Sequence, residues 1–488
     1  LERPVSLDPR APCLIGAAQR TWRDGPAPEP LDMQAEVASA AAGGALDRVG
    51  WLGTVHCLSW TYDDPPGRLA DRLGIEPAGR VTSTLSGTSA QSLLLQAARA
   101  IRAGELEVGL VVGGEALATR RRAKRDGQRL AWSHPATQRP AMPMEFHPSE
   151  LAHEVFQAYV TFALRDSARR AHRGLGLAEH RRMIGELLAP LSAIAAANPH
   201  AWFPTSYQPA DISEPGPDNR MVAFPYTKRS VAFMDVDMAA AVVIASHEAA
   251  DRLGVPPEDR VYLHRWAEAS DPAHPAEHPE LWRSPAMAWC AAQTCPAPEL
   301  VTHLDLYSCF PSALWFALDA LGWDDPPPAG LTVTGGLPYA GGPSSNYLGH
   351  SIASMVETLR ADPGSVGLTT GIGMHMEKHS WATWSTDPPT EPVEPPAPPP
   401  PARRPIADHP GDDPTVAALT VIFDRSGEPS WGLCILEDRS GARSYARVDD
   451  GGLLGSMGSE EWVGRTVAVT VDGPVNRVTG GGRAPVRR

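Results

Sequence analysis

Cysteine is scarce in this chain of 488 residues. The six thiols, Cys13, Cys57, Cys290, Cys295, Cys309 and Cys434, are scattered along it. No pair has zinc-finger spacing, and the Cys290/Cys295 gap has no second pair to complete four ligands. Six in this length also exclude the disulfide framework of a small secreted protein. Long apolar runs are missing too: none reaches the roughly 20 residues needed to cross a bilayer, and the N-terminus has no signal-peptide pattern. Positive charge is in short supply. A formal net charge of −14 excludes nucleic acid as the main partner, because phosphate binding needs a basic surface. Together these absences predict a reduced, soluble, cytoplasmic protein with no membrane span, no metal and no resident cofactor.

What is present is a large core. Hydrophobic residues make up 42% of the chain, and its length calls for two or three domains. The stretch from Arg80 to Gly104 organises the rest. A polar turn with Ser86, Gly87, Thr88 and Ser89 leads into a helix that is apolar almost all the way round, so it belongs inside a domain. Its N-terminus offers free amides and the positive end of the dipole, where enzymes place anions or activated nucleophiles. An apolar strand, Val108 to Ala116, follows.

In chain order, Pro12–Ala17 reads as a buried strand and Leu31–Leu46 as a helix. The strand–helix alternation predicts a parallel sheet with helices on its faces. Residues 120–150 read as a charged, proline-interrupted loop excursion opening with the basic run Arg120–Arg125. That run fits a solvated loop or a landing site for a phosphorylated ligand. Glu150–His172 and Leu177–Ala197 read as long helices, Val222–Lys228 as strand-like and Asp235–Ala245 as a buried strand. From about residue 260 the pattern restarts: a strand at Val301–Tyr307, a helix from Pro311 to Gly322, a strand at Leu331–Thr334, a glycine-rich loop to Gly342, a helix from Tyr347 and a strand at Val366–Gly371. Two such halves imply an internal duplication. Residues 386–412 are dense in proline and read as a stiff, extended linker. Four short β segments beyond it (Val416–Phe423, Trp431–Leu436, Ser444–Val448, Thr466–Val471) predict a small barrel.

These landmarks, in order, resemble the thiolase superfamily over residues 10–385: Ile15-Gly-Ala-Ala, Ala98 to Gly104, Gly113-Gly-Glu115, Asn198-Pro, Asp237-Met-Ala-Ala-Ala, Tyr307-Ser-Cys-Phe310, Gly335-Gly-Leu337 and Gly341-Gly-Pro343. The chain looks most similar to thiolase-like proteins with an extra C-terminal barrel, usually named acetyl-CoA acetyltransferases. The resemblance implies an α/β thiolase fold, two βαβαβαββ halves in five αβαβα layers, plus an OB-like barrel. The implied division is 1–255 with an insertion at about 120–220, then 256–385, the linker 386–412 and the barrel 413–488.

The resemblance also implies where the chemistry of the Claisen reaction should sit. The family's nucleophilic cysteine falls on Leu85, matching Val-Asn-x-x-Cys onto Val81-Thr-Ser-Thr-Leu85. Its Gly-His-Pro histidine falls on Gly342, and its acid/base cysteine falls near Thr369 and Thr370, before Gly371. The motif that holds an oxyanion-hole water becomes Tyr307-Ser-Cys-Phe310. Ordinary thiolase activity is therefore not expected. A CoA thioester is the expected ligand, in acyl-CoA or lipid metabolism, with Ser86, Gly87, Ser89, Tyr226, Lys228, Tyr339, Gly341, Asn346 and Gly371 as candidate contacts.

Ser86 or Ser89 would need a base to act as a nucleophile, and helix capping is the favoured reading. Packing is favoured for Cys309. Tyr307 has two readings: a hydrogen-bonded core tyrosine, or a proton-transfer group as in thiolase-like aldolases that work with an OB-fold partner. The second reading makes retro-aldol cleavage of a β-hydroxyacyl-CoA an alternative function, and a non-catalytic scaffold is a third. His350 is a second candidate proton carrier. His375 and His379 lie four apart without the acidic residue of a zinc-protease motif. A homodimer is implied by family analogy, and a monomer stays open because linker and barrel could cover that surface.

Overall fold

The computed structural model describes residues 7–138, 145–327, 330–390 and 394–481. The first half begins with β1 (Pro12–Thr21), α1 (Pro30–Ala42), β2 (Trp51–Thr54), α2 (Pro65–Leu73), β3 (Gly79–Thr82), α3 (Ser89–Ala103) and β4 (Val108–Ala116). It continues through α4 (Leu117–Arg125), α5 (Pro148–Ala152), α6 (Ala158–His172), α7 (Leu177–Ala197), α8 (Pro209–Ser213), β5 (Met221–Ala223) and β6 (Tyr226–Thr227). It ends with β7 (Asp237–Ser246) and α9 (His247–Arg252). The second half holds β8 (Val261–Ser270), α10 (Pro285–Thr294), β9 (His303–Asp305), α11 (Pro311–Leu321), α12 (Tyr347–Ala361), β10 (Val366–Gly373) and β11 (Lys378–Ser385). The remainder is β12 (Thr415–Phe423), β13 (Pro429–Glu437), β14 (Arg443–Val448), α13 (Gly451–Met457), β15 (Val467–Asp472) and β16 (Val475–Gly481).

One sheet runs in the order β3-β2-β4-β7-β1-β8-β11-β10-β9. Within this sheet the halves join where Cys13 and Leu14 of β1 face Tyr262 and Val261 of β8. The pleat of β7 sorts its layers. Ala239, Ala241, Val243 and Ala245 pack with α1, while Val242 and Ile244 pack with α3, as a period of two requires. On its far side α3 reaches the second half. Gln91 accepts a hydrogen bond from Thr369 Oγ1 of β10 at 2.7 Å and donates to Ser380 Oγ of β11 at 3.1 Å. α12 lies beside α3, and α10 covers β8 and β11 with α11 behind it. The helix α3 is therefore central, and Gly104 stops it at φ +78°, a conformation that costs glycine little.

Several elements differ from the sequence expectation. Leu331–Thr334 is not a strand. The Thr332 and Thr334 hydroxyls and the Val333 and Thr334 amides all bond the buried Asp305 carboxylate instead of a neighbouring strand. The basic run closes a helix, α4, rather than a loop, because its Ala, Arg and Lys residues favour helix and complement the C-terminal dipole. Residues 139–144 of that excursion lie outside the described residues. The helix expected over Glu150–His172 is broken between α5 and α6, where the chain turns through Glu154 at φ +60°.

The second sheet has the order β15-β16-β14-β13-β12-β5-β6. Thr415 bridges Thr466, and the Val416 amide donates to the Arg465 carbonyl at 2.9 Å, so β12 closes back onto the start of β15. The resulting ring of five strands is not detached from the body. Ile422 of β12 pairs with Ala223 of β5, and Tyr445 donates to the buried Glu150 carboxylate at 2.9 Å. Arg443, 2% exposed, donates to the His278 and Pro279 carbonyls of the second half. Between body and ring, the described part of 386–412 contains no helix or strand, apart from one bridge between Ile406 and Arg443. Among the described residues no helix is long and apolar enough to cross a membrane.

Candidate functional site

A pocket of about 460 Å³ opens at the N-terminus of α3. Its lining includes Leu85, Ser86 and Gly87 from the turn before the helix, Tyr307, Cys309 and Phe310 after β9, Gly342 from the glycine-rich loop, and Met374 and His375 from the β10–β11 turn. Phe156, Tyr159, Phe162, Val231, Met234 and Leu337 make the walls apolar. Phe156 and Met234 remain 39% and 45% exposed at its mouth.

The turn into α3 is fixed by its own hydroxyls. Ser86 Oγ lies 2.9 Å from Thr88 Oγ1 and accepts from the Thr88 amide at 3.2 Å. Ser89 Oγ donates to the Thr84 carbonyl at 2.8 Å. The Ser86 amide donates to Ser345 Oγ at 3.1 Å, tying this turn to the glycine-rich loop. Both serines therefore hold the helix start, as short polar side chains do.

Tyr307 enters the pocket because its neighbour has no side chain. A methyl at Gly87 would meet the Tyr307 hydroxyl oxygen at 2.3 Å and the Ile372 carbonyl oxygen at 2.1 Å. The Tyr307 amide donates to Thr370 Oγ1 at 2.9 Å, and its ring stands edge-on to Tyr347, centroids 5.5 Å apart. Burial pushes the Tyr307 hydroxyl well above its ordinary range. It keeps its proton at neutral pH and can donate a hydrogen bond to a bound carbonyl. Cys309 also lines the pocket, so a thiol is present. Burial raises its pKa strongly and no cation lowers it, the reverse of what activates a nucleophilic cysteine. His375 is held down to about 4 by burial and is neutral at pH 7. It sits between Met374 and Met376, at φ +54° and +67°, left-handed conformations that ordinary side chains adopt only when the surroundings hold them there.

The other candidate residues lie elsewhere. His350 faces β1 from α12: its Nδ1 is 3.0 Å from Gln19 Oε1, and burial lowers its pKa to about 3. It is not in the pocket lining. Thr369 is an interior residue, donating to Gln91 and accepting from Trp384 Nε1 at 2.9 Å; of its strand and turn, Ile372, Met374 and His375 face the pocket instead. Tyr226 stands behind the wall, donating to Ser312 Oγ at 2.8 Å and stacked on Phe310. Tyr339 is buried with no partner for its hydroxyl among the described residues. Asn346 donates to the Gly113 carbonyl at 2.8 Å. Gly341 and Gly371 are buried points of close approach, where a methyl would meet Met238 Sδ at 2.7 Å and Leu348 Cδ1 at 2.5 Å.

Lys228 opens a second part of the site. It lines a cleft of about 760 Å³ together with Arg121, Arg122, Lys124, Arg125 and Arg425. An adjoining opening shares Lys228 and Arg425 with that cleft, and shares Val231, Ala232 and Met234 with the apolar pocket. Arg121 pairs with Asp235 and Arg122 with Asp237. Lys124, Lys228 and Arg425 form no ion pair among the described residues. The sequence marked α4 and Lys228; Arg425 and His375 were not foreseen as site residues.

An apolar pocket walled by two similar halves at the tip of a shared central helix invites comparison with known structures. The chain matches a structure described as a monomeric SCP2-thiolase like protein type 1 from Mycobacterium smegmatis, with 28% identity, a TM-score of 0.81, and coverage of 97% of this chain and 99% of that one. The fold is thiolase-like. The human mitochondrial 3-ketoacyl-CoA thiolase aligns over 77% of this chain and 99% of its own length at 14% identity, TM-score 0.55. A structure described as an Ltp2-ChsH2(DUF35) aldolase aligns over 77% and 98% at 17% identity, TM-score 0.59. No family model and no curated protein matches. In thiolase-like terms, the pocket lies where the resemblance placed the nucleophile and histidine positions, Leu85 and Gly342.

Proposed function

We propose that this thiolase-like protein binds CoA thioesters, with the phosphates in the basic cleft and the acyl group in the apolar pocket, and that it does not perform thiolase chemistry. The observation that carries this reading is the series of adjoining cavities with shared walls, from the cleft at Lys228, by way of Val231 and Met234, to the pocket lined by Leu85. A CoA thioester has the matching layout: phosphates at one end, a flexible neutral arm, and an apolar acyl group at the other. Leucine at position 85 can neither attack a thioester nor carry an acyl group. Tyr307 and the positive end of the α3 dipole are disposed to hydrogen-bond and polarise the thioester carbonyl. The match to a protein described as monomeric supports a monomer over the family-implied dimer. Isothermal titration with CoA and with acyl-CoAs of increasing chain length tests the reading. Affinity should rise with acyl length; indifference to every CoA species would favour a scaffold role.

A second reading rests on Tyr307 alone: retro-aldol cleavage of a β-hydroxyacyl-CoA, with the hydroxyl shuttling a proton. No hydrogen bond joins that hydroxyl to a base among the described residues, so it serves better as a donor than as an acceptor. Release of an aldehyde or ketone from a β-hydroxyacyl-CoA, abolished by Tyr307→Phe, would favour this second reading.

A further inference from the structure

We infer that the C-terminal barrel is part of the ligand site, and that Arg425 in its β12–β13 turn is a specificity-determining residue for the phosphate-bearing end of the ligand. The inference deepens the CoA-thioester reading and rests on it. Two faces of the basic cleft come from the body: α4, and the segment carrying Lys228. Arg425 comes from across the domain junction and lines both the cleft and the opening toward the pocket. No signal in the sequence joins residue 425 to residues 121–125.

The turn that carries Arg425 is held in place. Asp424 Oδ1 accepts from the Ser426 amide at 2.8 Å, the Ser426 hydroxyl at 2.7 Å and the Glu428 amide at 3.0 Å. Arg220, next to β5, donates to the Asp424 carbonyl at 3.2 Å and to the Met221 carbonyl at 2.8 Å. The Phe224 amide donates to the Val421 carbonyl at 2.8 Å. The backbone under Arg425 is thus fixed to the body, while its exposed guanidinium has no carboxylate partner among the described residues. The Asp424 carboxylate beside it is taken up by the turn. In a chain of net charge −14, unpaired cations from two domains at the rim of one cleft are an anion site in waiting. Asp235, Asp237 and Asp126, paired with Arg121, Arg122 and Arg125, and Asp218 at the adjoining opening are the acids nearby. A guanidinium also grips phosphate bidentately, which an ammonium cannot.

Because the ligand's phosphates would touch both domains, binding would also strengthen barrel docking by linkage. The test uses the full chain, titrated with CoA, with adenosine 3′,5′-bisphosphate and with pantetheine. Arg425→Ala should weaken CoA and the bisphosphate by about tenfold, the size of one charge-assisted contact, and leave pantetheine unchanged. Arg425→Lys should fall between. Arg439→Ala, in the next turn of the barrel, is the control and should bind like wild type. Equal thermal melts without ligand would show that Arg425→Ala is folded. Unchanged CoA and bisphosphate affinity in that variant would overturn the inference while leaving the CoA-thioester reading standing. A wild type that binds the bisphosphate, loses it on Arg425→Ala, and shows no preference for acyl-CoA would uphold the inference and sink that reading instead. A wild type that binds neither CoA nor the bisphosphate would overturn both.

Discussion

Gly87→Ala would put a methyl carbon 2.1 Å from the Ile372 carbonyl oxygen, 2.3 Å from the Tyr307 hydroxyl oxygen and 2.7 Å from its ring carbon. The backbone at Gly87 is not left-handed, so alanine brings no conformational penalty and the effect is one of space alone. Relief needs a shift of about 1 Å, and the two obstacles differ. The Tyr307 ring can swing toward the cavity, but Ile372 is backbone in β10, held by eight cross-strand pairs with β11. Overpacking of a tight site costs about 1–3 kcal/mol. A fixed carbonyl puts this substitution near the upper end, at about 3 kcal/mol. At a few degrees per kcal/mol for large domains, the apparent Tm should fall by roughly 5 °C or more. Acyl-CoA affinity should drop as well, because Tyr307 is displaced into the space for the ligand. Gly25→Ala, with nothing within 4 Å of the new methyl, is the matched control. Scanning calorimetry and titration calorimetry on both variants decide it. A Gly87→Ala protein with wild-type Tm and wild-type affinity would mean that Tyr307 does not press against the helix start.

Tyr307→Phe should keep the fold, since its bond to Thr370 comes from the backbone amide, and should weaken acyl-CoA binding by about 1 kcal/mol, one hydrogen bond, as titration would show. Leu85→Cys should create a thiol at the dipole's positive end that iodoacetamide alkylates faster than Cys309, whose pKa burial raises; equal rates would place residue 85 away from the helix tip. His350 and His375 have folded pKa values lowered to about 3 and about 4. At these two sites the unfolded chain therefore binds more protons, and their contribution to stability should be full above about pH 6.5 and decline as pH falls from there toward 3–4. Urea midpoints across that range should show a shallower decline in His375→Gln. Arg443→Ala leaves the Ala276, His278 and Pro279 carbonyls without their donor and Glu437 with Arg404 alone, and should loosen the barrel by about 3 kcal/mol, seen as faster proteolysis within residues 386–412.

The fold was legible where local pattern and burial agree. The apolar positions of α3 (Leu93, Leu94, Leu95, Ala97, Ala98 and Ile101) are buried while Gln96 and Arg99 reach the surface, and the apolar run Met238–Ala245 of β7 takes a central place in the sheet. Leu331–Thr334 misled because β-branched residues read as strand, while a buried acid distant in sequence, Asp305, takes up their hydrogen bonds. The basic run was visible as charge, but Arg425 lies far away in sequence, and tertiary contacts such as the β5–β12 pairing and the bond from Arg220 to the Asp424 carbonyl bring the two to one cleft. His375 was weighed as half of a metal pair with His379. The β10–β11 turn instead places His375 in the pocket lining, while His379, in β11, lies 3.3 Å from Asp271. Leu85, which the resemblance set at the nucleophile position, does line the pocket. The thiol of Cys309 in the pocket wall was not legible, since a residue beside a motif gives no sign of which way it faces.

Intact-mass spectrometry after incubation with acyl-CoA, run beside titration calorimetry on the same sample, bears most directly on a site that holds a thioester without taking its acyl group. The account predicts saturable binding with heat and no acyl adduct on the protein at any time point. Stoichiometric acylation, mapped to Cys309 or to any other side chain of the pocket, would contradict it.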